Sequence, residues 1–243
     1  MEMHRFKNKK ELSVGLADWI CNLIEEVLQE QEYFSLVLSG GNTPKSLFEK
    51  LASSSYKSKI NWKRIHIFWG DERVVPFDDP RNNAGMAFET LLNHVEIPSE
   101  NIHIMRTDIE TNFSVDAYRE LLHNFFDNKS KSFDLVLLGL GDDGHTLSLF
   151  PGSPIIVEHA RWVNSVFLPE QEMFRITLMP VLVNLASHIV FMVEGEKKAG
   201  ILKQVIEGDY NPQKLPSQII SPVNGKLHWF LDEAAGADLS NFK

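Results

Sequence analysis

Short apolar runs of strand length, scarcely interrupted by polar residues, constrain this chain more than any other feature: SLVL (35–38), RIHIFW (64–69), FDLVLLGL (133–140), WVNSVFL (162–168), HIVFMV (188–193) and LHWFL (227–231). A strand with one wet face alternates apolar and polar residues, whereas a near-continuous apolar run marks a strand buried on both faces. Helical patterns separate most of these runs: TPKSLFEKLA, NNAGMAFETLLNHV, SVDAYRELLHNFF and EKKAGILKQVIEG. Ahead of them, apolar residues at 12, 16, 19, 20, 23, 24, 27 and 28 have the i, i+3, i+4 spacing of an amphipathic helix, with Cys21 packed among them. Strands of this kind alternating with helices predict an α/β fold whose mostly parallel sheet is covered on both faces. The loops are short and varied, so residues 1–243 are expected to form a single compact domain that begins directly with its first helix.

Composition narrows the function. The formal net charge is −9 and Lys and Arg are nowhere concentrated, which argues against a nucleic-acid surface. A small anion held locally remains compatible. A single cysteine excludes a disulfide framework and a thiolate metal site, and is compatible with a reducing compartment. The N-terminal segment MEMHRFKNKKEL lacks the apolar core of a signal peptide, and no apolar run approaches membrane-spanning length. A cytoplasmic protein with no membrane partner is expected.

Three polar clusters follow strands, where ligands of parallel sheets usually bind. In LVLSGGNTPKSLF a strand runs into Gly40, Gly41, Asn42 and Thr43, and a helix begins. Thr43 is expected to cap that helix and Pro44 to fit its first position, leaving backbone N–H groups aimed at an anion, most plausibly a phosphate. A tight turn would use the same glycines. In IHIFWGDERVVPFDDPRNN, Asp71, Glu72 and Arg73 follow a buried strand. Arg73 can present its planar fork to phosphate or carboxylate, or the three can form a surface ion-pair cluster. His66, inside the strand, reads as a packing residue.

The third cluster, LGLGDDGHTLSLFPGSP (138–154), holds Asp143 and His145 two residues apart. The carboxylate can fix the imidazole's tautomer and raise its basicity, so that the ring takes a proton from water near neutral pH. A capping Asp beside a solvent-facing His is the alternative. The G-x-G-x-x-G spacing of Gly139, Gly141 and Gly144 lies past the chain's midpoint rather than in a first βα unit, and carries little weight as a nucleotide signature. No third well-spaced ligand is visible here, so no metal is expected, and no G-x-S-x-G elbow supports serine catalysis. Arg175 in FRITL and Lys198 in GEKKAGIL are further cations. Lys198 falls near a helix start, an awkward place for a positive charge unless a ligand anion meets it.

Taken together, SGGNTP, WGDERVVP followed by NN, GLGDDGHTLSLFP, and RITLMPVL with GEKKA resemble the 6-phosphogluconolactonases, within the glucosamine-6-phosphate isomerase/6-phosphogluconolactonase superfamily, in that family's order and over nearly the whole chain. The resemblance implies a Rossmann-like fold and hydrolysis of a sugar-phosphate lactone, 6-phosphoglucono-δ-lactone, in the oxidative pentose phosphate pathway, with no cofactor. It implies that His145 is the general base and Asp143 its orienting carboxylate. Gly40, Gly41, Asn42 and Thr43 match the phosphate-side loop, with Asp71 in the adjoining motif, while Arg73, Arg175 and Lys198 match the basic anion ligands. Asn83 aligns with the Asn after the DER motif. A monomer or weak homo-oligomer is expected. The superfamily's deaminases place a ring-opening Glu where this chain has Phe150, and Asp-Glu-Tyr where it has Asp71, Glu72 and Arg73, which favours the lactonase branch. A sugar-phosphate sensor would keep the phosphate loop, but it would not need the Asp143/His145 pair and would require a DNA-reading module.

Overall fold

The computed structural model describes residues 1–126 and 130–241. Its elements, in chain order, are β1 (Glu2–Phe6), α1 (Lys9–Glu30), β2 (Phe34–Leu38), α2 (Asn42–Ala52), β3 (Ile65–Trp69), β4 (Asp71–Arg73), α3 (Asn83–Thr90), β5 (Ile102–His103), α4 (Thr111–Phe126), β6 (Leu135–Gly139), β7 (Val163–Leu168), β8 (Met173–Leu178), α5 (Pro180–Val183), β9 (His188–Val193), α6 (Ala199–Glu207) and β10 (Lys226–Asp232). Seven strands form one sheet in the order β1-β10-β9-β6-β2-β3-β5, and each pairing in it is parallel. The α/β, Rossmann-like expectation holds.

Successive side chains of a strand face opposite ways, so a buried central strand feeds two cores. Leu36 and Leu38 of β2 pack with α1, α2 and α3 on one face. Val37 joins Val136, Leu138 and Phe191 on the other, under α4 and α6. This two-sided burial is what the unbroken apolar runs encode.

Three departures from the sequence reading matter for the site. First, a strand, β1, precedes the first helix and occupies one sheet edge. Second, WVNSVFL is not part of the parallel sheet: as β7 it joins a separate antiparallel sheet in the order β4-β8-β7. Third, Asp71, Glu72 and Arg73 are themselves the short strand β4 of that second sheet. In this arrangement Arg73 stands directly opposite Arg175.

The order of the large sheet reverses between β6 and β2. From β2 the chain winds outward through β3 and β5; from β6 it winds the other way through β9 and β10. The crossovers diverge there and leave a crevice beyond the carboxyl ends of the two strands. The loops after β2 and β6, with their glycines, open into it.

Candidate active site

A cavity of about 220 Å³ occupies this crevice. Ser39 and Gly40 line it from the end of β2, and Gly139, Gly141 and His145 from the end of β6. Asp71, Arg73 and Arg175 close it from the second sheet.

The loop after β6 is tightly self-bonded. The Gly141 N–H donates to the His145 carbonyl at 2.8 Å, Gly144 N–H to Gly141 at 3.1 Å, and the Thr146 hydroxyl to Gly139 at 2.9 Å. Gly144 has φ 80°, and Leu147, a non-glycine residue, has φ 55°. A left-handed leucine is uncommon and marks a backbone held by its surroundings. Against Gly141 the fit is so close that a Cβ would overlap the His145 ring and the Asp143 carboxylate.

Within this loop His145 Nδ1 meets Asp143 Oδ1 at 2.5 Å, and the same oxygen accepts the His145 backbone N–H at 3.1 Å. With Nδ1–H given to the carboxylate, Nε2 carries the lone pair. Burial pushes the Asp143 carboxyl up, but the hydrogen bond and charge of the imidazole, with the backbone N–H, outweigh it and hold the group below its usual range. The Phe150 ring packs against His145 with centroids 4.4 Å apart, and the Arg175 guanidinium carbon lies 6.0 Å from the same ring. Phe150 therefore sits between the dyad and Arg175.

Opposite the dyad, Arg175 and Arg73 pair across β4 and β8. The Arg175 side chain is only 9% exposed; its Nη1 lies 3.8 Å from Asp71 Oδ2, and its Nη2 donates to Gln171 at 2.8 Å. Arg73 Nη1 donates to the Arg81 carbonyl at 2.7 Å. The Nε atoms of both arginines are buried with no hydrogen-bond partner among the described residues. Burial lowers the Arg175 pKa; the charge of Asp71 works against that and the charge of Arg73 adds to it. Like charges facing each other across a ladder repel, so two half-satisfied guanidiniums make an anion-accepting wall.

Glu72 shapes this wall, although the sequence reading gave it no role beyond a possible surface ion pair. It is fully buried, and its carboxylate accepts the backbone N–H groups of Arg73, Asn83 and Ala84, each at 2.7 Å. It thereby ties β4 to the first turn of α3. Asn82 caps that helix through Gly85 N–H at 2.8 Å, and Asn83 donates its amide to the Asp71 carbonyl at 2.9 Å. The Asn83 carboxamide lies against Gly40, where any Cβ would overlap it. Ser148 anchors Asp71 with a 2.7 Å hydrogen bond.

The structure thus gathers Gly40, Asp71, Arg73, His145 and Arg175 around one cavity, with Asp143 and Asn83 behind them. Gly41, Asn42 and Asn83 instead line a neighbouring cavity of about 560 Å³ that shares Arg73 as its wall. The expected cap of α2 needs correction. Gly41, with φ 105°, caps α2; helix α2 starts at Asn42, so Thr43 lies inside the first turn and does not cap it, and Pro44 is not its first residue. Lys198 does not line either of these two cavities: its ammonium pairs with Asp142, one residue before the dyad's acid. Ser148, Gln171 and Glu72 are contributors that the motifs did not flag: Ser148 meets Asp71 from 77 residues away, while Gln171 and Glu72 reach their partners across turns of four and eleven residues.

No helix among the described residues is long and apolar enough to cross a membrane. The family model for glucosamine-6-phosphate isomerases/6-phosphogluconolactonase matches residues 7–229. A 6-phosphogluconolactonase from Nostoc sp. is 40% identical over 231 residues, covering 92% of each chain. One from Haemophilus influenzae is 37% identical over 227 residues, covering 87% of this chain and 93% of its own. The structure of a 6-phosphogluconolactonase from Trypanosoma brucei superposes with a TM-score of 0.87 at 26% identity, over 98% of both chains. Sequence and fold agree over nearly the full length, and the chain belongs to the glucosamine-6-phosphate isomerase/6-phosphogluconolactonase family.

Proposed function

We propose that this chain hydrolyses 6-phosphoglucono-δ-lactone to 6-phosphogluconate, with His145 as general base. The observation that carries this reading is the His145–Asp143 pair sharing one small cavity with two cross-strand arginines, Arg73 and Arg175. A lactone is an activated ester, so a water that loses its proton to Nε2 need only add to the carbonyl carbon. Asp143 keeps the ring in the required tautomer and stabilises the imidazolium that forms. The tetrahedral oxyanion requires donors, and the backbone N–H groups of the glycine loops are the candidates at hand. The arginines, with the loop at Gly40 and Gly41, hold the phosphate away from the reacting carbon, which orients the substrate and disfavours unphosphorylated lactones.

Lactone opening measured against the spontaneous reaction tests this. His145→Ala should lower the enzymatic rate by roughly 10²- to 10⁴-fold, the usual worth of a general base, with a smaller effect on KM. If the purified protein opened the lactone no faster than buffer, with and without His145, a sugar-phosphate sensor would be the better reading.

A further inference from the structure

At the opposite end of the sheet from the cavity, three histidines on adjacent strands point to the same face. They are His4 on β1, His228 on β10 and His188 at the start of β9. Register places Glu2 beside His228. The side chains interlock: His4 Nε2 lies 3.2 Å from His228 Nδ1, and His228 Nε2 lies 3.1 Å from His188 Nδ1. Glu2 Oε2 lies 3.3 Å from His228 Nδ1 and 4.0 Å from His4 Nε2.

We propose that Glu2, His4 and His228 form a binding site for a divalent transition-metal ion of the zinc type. Among the described residues they are a set of three whose ligand atoms all lie within 4.8 Å of one another. The sides of their triangle leave room for such an ion. A point equidistant from atoms 3.2, 3.3 and 4.0 Å apart lies about 2.1 Å from each, the bond length of zinc to imidazole nitrogen or carboxylate oxygen. Two imidazoles and a carboxylate suit zinc, nickel or copper, whereas magnesium and calcium prefer all-oxygen shells.

The surroundings fit the same reading. His228 is buried, and its second nitrogen faces His188, the kind of outer hydrogen bond that orients a ligating imidazole. Phe230 stacks on His4 at 4.1 Å, and Trp19 lies 4.9 Å from the His228 ring, so the inner wall is apolar. Outward, Glu2 is half-exposed, which leaves room for a water in the fourth position. The competing arrangement is also present: Glu2 Oε1 lies 3.9 Å from the Lys226 ammonium, and a proton shared by the two histidine nitrogens would account for their separation. A bound ion would displace that proton and tie the edge strand to β10, residues more than 220 apart in the chain.

Calorimetric titration of the chelator-stripped full chain with zinc chloride alone tests the site. The expected result is one equivalent bound and a raised unfolding midpoint, with no binding of magnesium. His4→Ala and Glu2→Gln, both on the edge strand, should each weaken binding by at least about tenfold, since even outer-shell changes cost 10- to 100-fold. His145→Ala should leave binding intact, and wild-type lactone hydrolysis should be the same with and without zinc. Absence of stoichiometric binding, or binding that survives both edge-strand changes and disappears with His145, would show that the histidines are only hydrogen-bonded to one another.

Discussion

Glu72 carries a conflict that a single carboxyl cannot resolve. Burial, reinforced by the charge of Asp71, pushes its pKa up to about 7, while three backbone N–H groups favour the ionised form and limit the rise. A carboxyl whose folded pKa lies above its unfolded value stabilises the fold most at low pH, and that stabilisation is lost as pH rises through the folded value. Between pH 4.5 and 7, therefore, this residue makes the protein less stable as pH increases, by up to about 3 kcal/mol. Urea unfolding midpoints across this range should fall more steeply for wild type than for Glu72→Gln; equal slopes would mean the strain lies elsewhere. The dyad was legible in the sequence because Asp143 and His145 are two residues apart and need only one loop to meet. Glu72 was visible as a letter in a quoted motif, but its burial and its hold on α3 depend on a turn of chain eleven residues away, which no local pattern announces.

Among elements, the N-terminus of α2 is closed by a glycine and not by a capping side chain. Its cap, Gly41, has φ 105° and ψ 179°, makes no side-chain cap hydrogen bond, and has open space where a Cβ would point. That backbone region is accessible essentially to glycine alone, so the cost of Gly41→Ala is conformational, about 1–3 kcal/mol, and not steric. The substitution should lower the unfolding midpoint accordingly and raise KM for the lactone more than it lowers kcat, because the proposed general base sits on the other loop. A kcat loss at unchanged KM would remove this loop from substrate binding. The same scale explains which strands could be read. β2, β6 and β9 are buried on both faces and announce themselves as apolar runs. β1 is an edge strand bearing Glu2, His4 and Arg5, and β4 is three polar residues long. Their strand character comes from partners, Trp229 and Ile176 among them, that lie more than a hundred residues away. The candidate metal ligands were unreadable for the same reason, since only the closure of β1 on β10 brings them together.

For the whole molecule, the second sheet supplies what the parallel sheet cannot. The crevice between β2 and β6 provides glycine loops and the dyad, and the β4-β8 ladder adds two arginines in register against it. That pairing by itself opposes stability, for facing guanidiniums repel, and Asp71, Glu72 and Glu170 offset it in part by their charge, with Gln171 adding a hydrogen bond to Arg175. An anion bound between them reverses the sign of the interaction. Arg73→Met keeps the apolar stem and removes the charge and its hydrogen bond to Arg81. Without ligand its unfolding free energy should stay within about 1 kcal/mol of wild type, one lost exposed hydrogen bond being offset by relieved repulsion. With 6-phosphogluconate at a hundred times the wild-type Kd, wild type should gain about 2.7 kcal/mol by mass action and the variant far less. Paired thermal melts with and without the sugar acid separate the two effects. Equal ligand-induced shifts in both proteins would place the phosphate away from this wall, and the register of Arg73 with Arg175 would then need another purpose.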